Sequence, residues 1–356
     1  MGPTGYARER FRMLRDDASL YLLIVSYIAF AWGAAVWGGV ADRFSILVYP
    51  RTTMAITAAF VGGAFVFYSL WVMIRLKPPS PLIHIQHGIR DWVVGRQCLA
   101  GIALILAFSL FLSAVSSFKT LIPAFQPFSW DLRFARLDML IHGGRHPWEW
   151  LQPVLGYPWI TKLINLIYSL WLLVMFAAFF WQIFATRRPL LRKTFLVSFV
   201  LCWWLNGSVL AVLLSSAGPC FWGGLYAGAD PYAPLMQYLL QTHEQIGLQA
   251  IPIQQWLWDY YRRDALGVGA GISAMPSMHV SVAWLIFLLA RRHSRWLACL
   301  TGLYALMILL GSVHLGWHYA VDGYLSILTT TGIWLSVAAG YGKDRAYPQE
   351  RVSDPG

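Results

Sequence analysis

The chain has 356 residues, is 58% hydrophobic with only 12% charged residues, and contains 19 Trp, a balance that excludes an ordinary soluble globular domain. Its net charge of +11 would suit a nucleic-acid binder, but the basic residues are distributed as a membrane protein distributes them, and nucleic acid is excluded as a partner. The chain therefore reads as a resident of a bilayer.

A helix needs about 20 apolar residues to cross the hydrocarbon core. Runs of that kind stand near 19–41, 53–75, 98–118, 158–184, 194–216, 274–291, 296–313 and 319–341. They predict an all-α, polytopic membrane helix bundle with about eight transmembrane helices. The first run lacks the small-residue cleavage signature and the shortness of a secretory signal, so it reads as a retained membrane helix. With a cytoplasmic N-terminus, the inner segments hold Arg8, Arg10, Arg12 and Arg15, then Arg75, Lys77, Arg90 and Arg96, then Arg187, Arg188, Arg192 and Lys193, then Arg291, Arg292 and Arg295, and finally Lys343, Arg345 and Arg351. That is 18 of the 27 Lys and Arg, and this excess predicts both termini inside.

Two long segments, about 119–157 and 217–273, then fall outside. Both are rich in Trp, Pro and Gly, and connections of this length are usually functional or contain short helices of their own. "SFKTLIPAFQPFSWDLRFARLDMLIHGG" and "HEQIGLQAIPIQQWLWDYYRR" have the aromatic and basic mixture of helices that lie on a membrane surface. The inner linker "RLKPPSPLIHIQHGIRDW" separates two crossings from six. It divides the chain into 1–75, an N-terminal tail with two added helices, and 76–356, a six-helix domain.

The polar residues at the outer ends of the later runs carry the chemistry. His279 enters the membrane near the start of the sixth run and His318 stands 39 residues later at the start of the eighth. Two crossings and the basic turn "RRHSR" fit between them, which returns both histidines to one face. In "GSVHLGWHYAVDGYLS", His314, His318 and Asp322 recur at intervals of four and stack on one face wherever the stretch is helical. A carboxylate one turn from an imidazole can bind one ring nitrogen and leave the other free to attack. Pro276 and Ser277 open the sixth helix, with proline expected at its first position. Such a helix start favours a phosphate and puts His279 within reach of a leaving oxygen that needs a proton.

At these residues the chain resembles the membrane-bound type 2 phosphatidic acid phosphatase superfamily, and more narrowly its inositol phosphorylceramide synthase branch. The second motif of that superfamily, Pro-Ser-Gly-His, is matched by Pro276-Ser277-Met278-His279, with Met for Gly. The third, Ser-Arg, five residues, His, three residues and Asp, is matched at His318 and Asp322, and "HYAVD" is close to the His-Tyr-x-x-Asp form of sphingolipid synthases. The resemblance implies a six-helix catalytic core with its site on the outer face (periplasmic, extracellular or luminal). It also implies a lipid phosphate or phospholipid substrate, and attack by His318 to form a phosphohistidine. Asp322 orients that nucleophile, and His279 protonates the leaving alkoxide. No cofactor is implied.

Gly311 and Ser312 occupy the Ser-Arg positions of the third motif, and Arg188-Pro189 lies on the cytoplasmic side, away from where the first motif, Lys-x6-Arg-Pro, belongs. The first motif is read as absent from the outer loop, with Arg262 and Arg263 as the nearest basic substitutes for binding phosphate. Ser277 and His314 are further candidate substrate contacts. Two other classes stay open. A metal or haem protein would use His314, His318 and Asp322 as ligands, with His279 completing the set; a lipid transporter would line a cavity with the same residues. Cys98, Cys202 and Cys299 in the runs and Cys220 in a loop show no metal or disulfide spacing and read as packing residues.

Overall fold

Helix is the only regular structure among the described residues of the computed structural model, which are 17–94, 96–185 and 187–343. This is the expected answer for so apolar a chain, because a helix satisfies its own backbone N–H and C=O groups where no water can. Arg8, Arg10, Arg12, Arg15, Arg345 and Arg351, with the side chains of Arg96 and Lys343, lie outside the described residues.

The helices are α1 Ala18–Trp37, α2 Pro50–Trp71, α3 Pro81–Val94, α4 Arg96–Phe125, α5 Asp131–Ile141, α6 Pro147–Leu155, α7 Pro158–Ser169 and α8 Trp171–Ile183. After them come α9 Pro189–Trp204, α10 Ala233–Ile246, α11 Ala250–Arg262, α12 Met278–Ala290, α13 Arg295–His314 and α14 Ala320–Lys343. Among the described residues six segments are long and apolar enough to cross a membrane: Ala18–Trp37, Pro50–Leu76, Ala100–Phe125, Pro158–Ile183, Pro189–Leu213 and Arg295–His314. The other two expected crossings are helical as well, but differ in kind. α12 is only 13 residues long, roughly 20 Å at the helical rise. α14 runs for 24 residues and carries Thr329, Thr330 and Thr331 in its middle.

α12 is apolar on every side, and a helix of that kind belongs in the centre of a bundle. It packs against α9, α13 and α14, with Val282, Ala283, Leu285 and Leu289 fully buried. α9 loosens into a π-helical stretch at Leu205–Leu210. There Asn206 donates its side-chain N–H to Ser281 Oγ at 3.0 Å, fixing α9 against α12 near the end that bears His279. α1 is docked on this core: Tyr27 is completely buried and shares a 2.8 Å hydrogen bond with Ser208. At the far end, Arg192 grips Asp17 through two hydrogen bonds of 2.6 and 2.8 Å. One arginine of those expected on the cytoplasmic side is thus also a buried ion-pair partner.

The two long segments do contain short helices, α5 and α6 in the first and α10 and α11 in the second. One boundary differs from expectation. Hydropathy ends the third run at residue 118, but α4 continues to Phe125, so Lys119 sits on the helix instead of in a loop. Of the cysteines, Cys98 and Cys202 are buried, Cys220 is half-buried and Cys299 is exposed, all as free thiols.

Candidate active site

The repeat at 314, 318 and 322 is broken by the backbone. α13 ends at His314, and a turn follows before α14 begins at Ala320. Two backbone N–H groups, of Trp317 and His318, fold back onto the Ser312 carbonyl at 2.9 and 3.1 Å. The turn carries His318 over the first residues of α14, where its Nδ1 meets Asp322 Oδ2 at 3.2 Å. That oxygen also accepts the Tyr319 N–H at 3.0 Å. Both side chains are buried. With Nδ1 engaged by the carboxylate, Nε2 is the nitrogen available to attack an electrophile.

His279 is the second residue of α12 and half-buried. Its ring is stacked on Tyr168, with centroids 4.7 Å apart, and sits 4.3 Å from the ring of Trp171; Trp171 donates its indole N–H to the His279 carbonyl at 3.0 Å. Two aromatic walls therefore hold the imidazole. Ser277, not Pro276, begins the helix: Ser277 is the cap, accepting the Val280 N–H, and Pro276 precedes it, joined to Met275 by a cis peptide bond. Capping of this kind contributes about 1 kcal/mol. The start of α12 is tied to α14, because Ser326 donates to carbonyls shared between them, Asp322 at 2.6 Å and Ser277 at 3.0 Å. His279 and His318 are thereby fixed relative to each other, with ring centroids 6.2 Å apart.

Both histidines line one cavity of about 510 Å³. Its walls are mostly apolar and aromatic, including Tyr168, Trp171, Trp203, Trp256 and Trp317, with Asn165, Ser169 and Gln249 among the polar groups. Among the described residues Lys119 is the only lysine or arginine on this lining, and no aspartate or glutamate is present there. Its charge acts on both His279 and His318, and it has no hydrogen-bond or ion-pair partner among the described residues. Burying an ammonium among apolar side chains is costly unless an anion pairs with it.

Lys119 is not recognisable in the sequence as a first-motif lysine because the motif's arginine is absent. Its spacing is kept at Lys119, Gln126 and Pro127, with glutamine where the motif has arginine. Gln126 points elsewhere, donating to Ser129 Oγ at 3.2 Å, and is not on the cavity wall. Gly271 lets the chain pass tightly over this point: at φ +92° a Cβ there would come within 2.8 Å of the Lys119 and Thr120 backbone.

The remaining candidates lie off the cavity. Arg262 and Arg263 are exposed at the end of α11 and do not line it. Ser277 is fully buried as the cap. His314 is fully buried against α7, where Thr161 Oγ1 bonds its Nε2 at 2.9 Å and Tyr238 at 2.7 Å. The three proposed ligands His314, His318 and Asp322 thus do not converge, and among the described residues no group of three or more His, Cys, Asp or Glu is arranged to hold a metal.

The two departures at the third motif have a packing explanation. Gly311 sits where a Cβ would press within 3.0 Å of Ile164 and 3.4 Å of Tyr168, the ring that supports His279. Ser312 is buried with its hydroxyl on the Leu309 carbonyl at 2.7 Å. Met278, in place of the second motif's glycine, borders the cavity and is matched by Gly207 on α9, where a Cβ would lie 3.4 Å from its sulfur.

No curated protein and no solved structure matches the chain. The family model of the PAP2 superfamily matches residues 133–335, a stretch that holds His279, His318 and Asp322. A match over more than half the chain, in a bundle with helices long and apolar enough to cross a membrane, places this chain in the PAP2 superfamily.

Proposed function

We propose that the protein is a lipid phosphotransferase whose donor is a phosphodiester. Membership of the superfamily brings phosphatase-type chemistry on lipid phosphates; the choice of donor and acceptor rests on the cavity. Among the described residues Lys119 is the single lysine or arginine on a lining without carboxylates. A diester carries one negative charge and the Lys119 ammonium balances it, whereas a phosphomonoester dianion would also draw on the proton that His279 must keep for the leaving group. This agrees with the likeness of "HYAVD" to the inositol phosphorylceramide synthases.

His318 Nε2 attacks phosphorus, a P–N bond forms and a P–O bond breaks, and the departing alkoxide takes the proton of His279. An acceptor alcohol then returns a proton to His279 as its oxygen displaces His318 from phosphorus. Lys119 stabilises the charge on the non-bridging oxygens in both steps. The catalytic unit is residues 76–356, to which 1–75 is an addition, and the site opens to the outer face, as the 18-to-9 split of basic residues indicates.

The test is to incubate purified protein with a phosphatidic acid or a phosphodiester phospholipid, each with and without an acceptor alcohol such as a ceramide or inositol. A new lipid formed from the diester supports the proposal. Rapid phosphate release from phosphatidic acid, with no product from any diester, would make the protein a phosphomonoesterase instead.

A further inference from the structure

α5 presents two carboxylates, Asp131 and Asp138, seven residues apart and both about 1% exposed. Residues so spaced lie on one face of a helix. Neither side chain pairs with a lysine or arginine among the described residues. Each instead grips backbone next to the catalytic residues. Asp138 accepts the N–H groups of Ala320 and Val321 at 2.8 and 3.0 Å. These are orphan donors of the first turn of α14, so a residue from a different helix caps the helix that carries Asp322. Asp131 accepts the Tyr319 hydroxyl at 2.9 Å, the N–H of Gly218 at 2.8 Å and that of Ala217 at 3.0 Å, and the Tyr226 hydroxyl at 3.2 Å.

The 215–220 segment held by Asp131 runs between the two catalytic loops. Ser216 accepts the Ala274 N–H on its carbonyl and the Met275 N–H on its hydroxyl, just before α12. Cys220 donates its N–H to Gly316 on the other side, at 2.8 Å. We propose that Asp131 and Asp138 are positioning residues of the reaction, one setting the 215–220 bridge between the His279 and His318 loops and the other holding the α14 turn that aims His318. The inference rests on His318 as nucleophile. Neither carboxylate lines the cavity, so both act through the backbone they hold.

The experiment compares Asp138→Ala, Asp138→Asn and Asp131→Asn with wild type and with Asp17→Asn, which breaks a buried ion pair at the opposite end of the bundle. Thermal stability, kcat, KM and labelling of His318 by donor are measured on each full-length protein. A misaimed nucleophile loses turnover and not affinity, and a displacement of about 1 Å can cost roughly 100-fold. Asp138→Ala should therefore lower kcat by about 30- to 100-fold with KM within about threefold. Asp138→Asn keeps one acceptor oxygen and should fall between it and wild type, and Asp131→Asn should also lose kcat. Asp17→Asn should lose stability and keep kcat. Wild-type kcat in Asp138→Ala, or an equal loss of kcat in Asp17→Asn at equal loss of stability, would overturn the positioning role while leaving His318 as nucleophile. An active wild type that never carries label on His318 would overturn the nucleophile assignment, and the positioning role with it.

Discussion

His279 and His318 face each other with ring centroids 6.2 Å apart and ring planes at 61°. They stand 39 residues apart in sequence, His279 in the first turn of α12 and His318 in the turn before α14. Under the proposed mechanism a phosphorus atom between them would have its nucleophile, His318, on one side and its proton donor, His279, on the other, as an in-line displacement requires. Among the described residues a carboxylate contacts His318 and none contacts His279, which is why the proposal gives the two histidines different roles.

That separation predicts different variant phenotypes. His318→Ala should abolish turnover and the covalent intermediate together. Asp322→Asn should keep the fold and leave a small residual rate, lower by about 10³- to 10⁴-fold, by the logic of an orienting acid. Steady-state rates with a fluorescent phospholipid donor check both, and a fully active Asp322→Asn protein would refute the orienting role.

His279→Ala should hurt most when the leaving group is a high-pKa alkoxide and should be partly rescued by a nitrophenyl ester, whose leaving group departs without a proton. Equal loss with both substrates would mean that His279 supports the fold or the substrate instead of donating a proton.

Lys119→Met should lower kcat/KM by roughly 10²- to 10³-fold, the range found when one electrostatic stabiliser of a transition state is removed. The same measurement on Arg262→Ala and Arg263→Ala should show changes of less than about threefold, because exposed charges off the cavity are screened.

Burial pushes the Asp138 carboxyl up to about 6, hydrogen bonds from Ala320 and Val321 oppose that, and the Asp322 carboxylate adds to it. His142, Tyr232 and Tyr324 also face this group. A carboxyl whose folded pKa is raised contributes stability that is present below its ordinary 3.8 and lost as pH rises through about 6. Capping α14 needs the opposite, ionised form. Activity should therefore fall as pH drops through about 6 without loss of fold from this group, and Asp138→Asn should remove that inflection. An unchanged acid limb in Asp138→Asn would show that another group sets it.

Cysteines placed at Arg145 and Gln245, both exposed in the two long segments, should react with an impermeant thiol reagent in intact cells, and one at Arg292 should not. Protection of both outer positions would reverse the orientation.

Much of this was legible in the sequence wherever partners are close along the chain. His318 and Asp322 are four apart, Ser277 precedes the helix it caps, and the long apolar runs announce membrane helices. His314 shares the same spacing, yet the turn after α13 sends it to Thr161, because a four-residue interval implies a common face only while the helix continues. Lys119 was hidden by its own charge, which lowers hydropathy and made α4 look shorter than it is. Asp131 and Asp138 bond residues more than 80 and more than 180 positions away, and no local pattern marks such a pair.

The most direct measurement is to trap the labelled enzyme with a radioactive phospholipid donor in the absence of acceptor, digest it under alkaline conditions and map the label by mass spectrometry. An acid-labile phosphohistidine at His318, lost in His318→Ala and discharged by adding an acceptor alcohol, is the predicted result. A label on His279 or His314, or full turnover with no covalent phosphoenzyme at any stage, would contradict it.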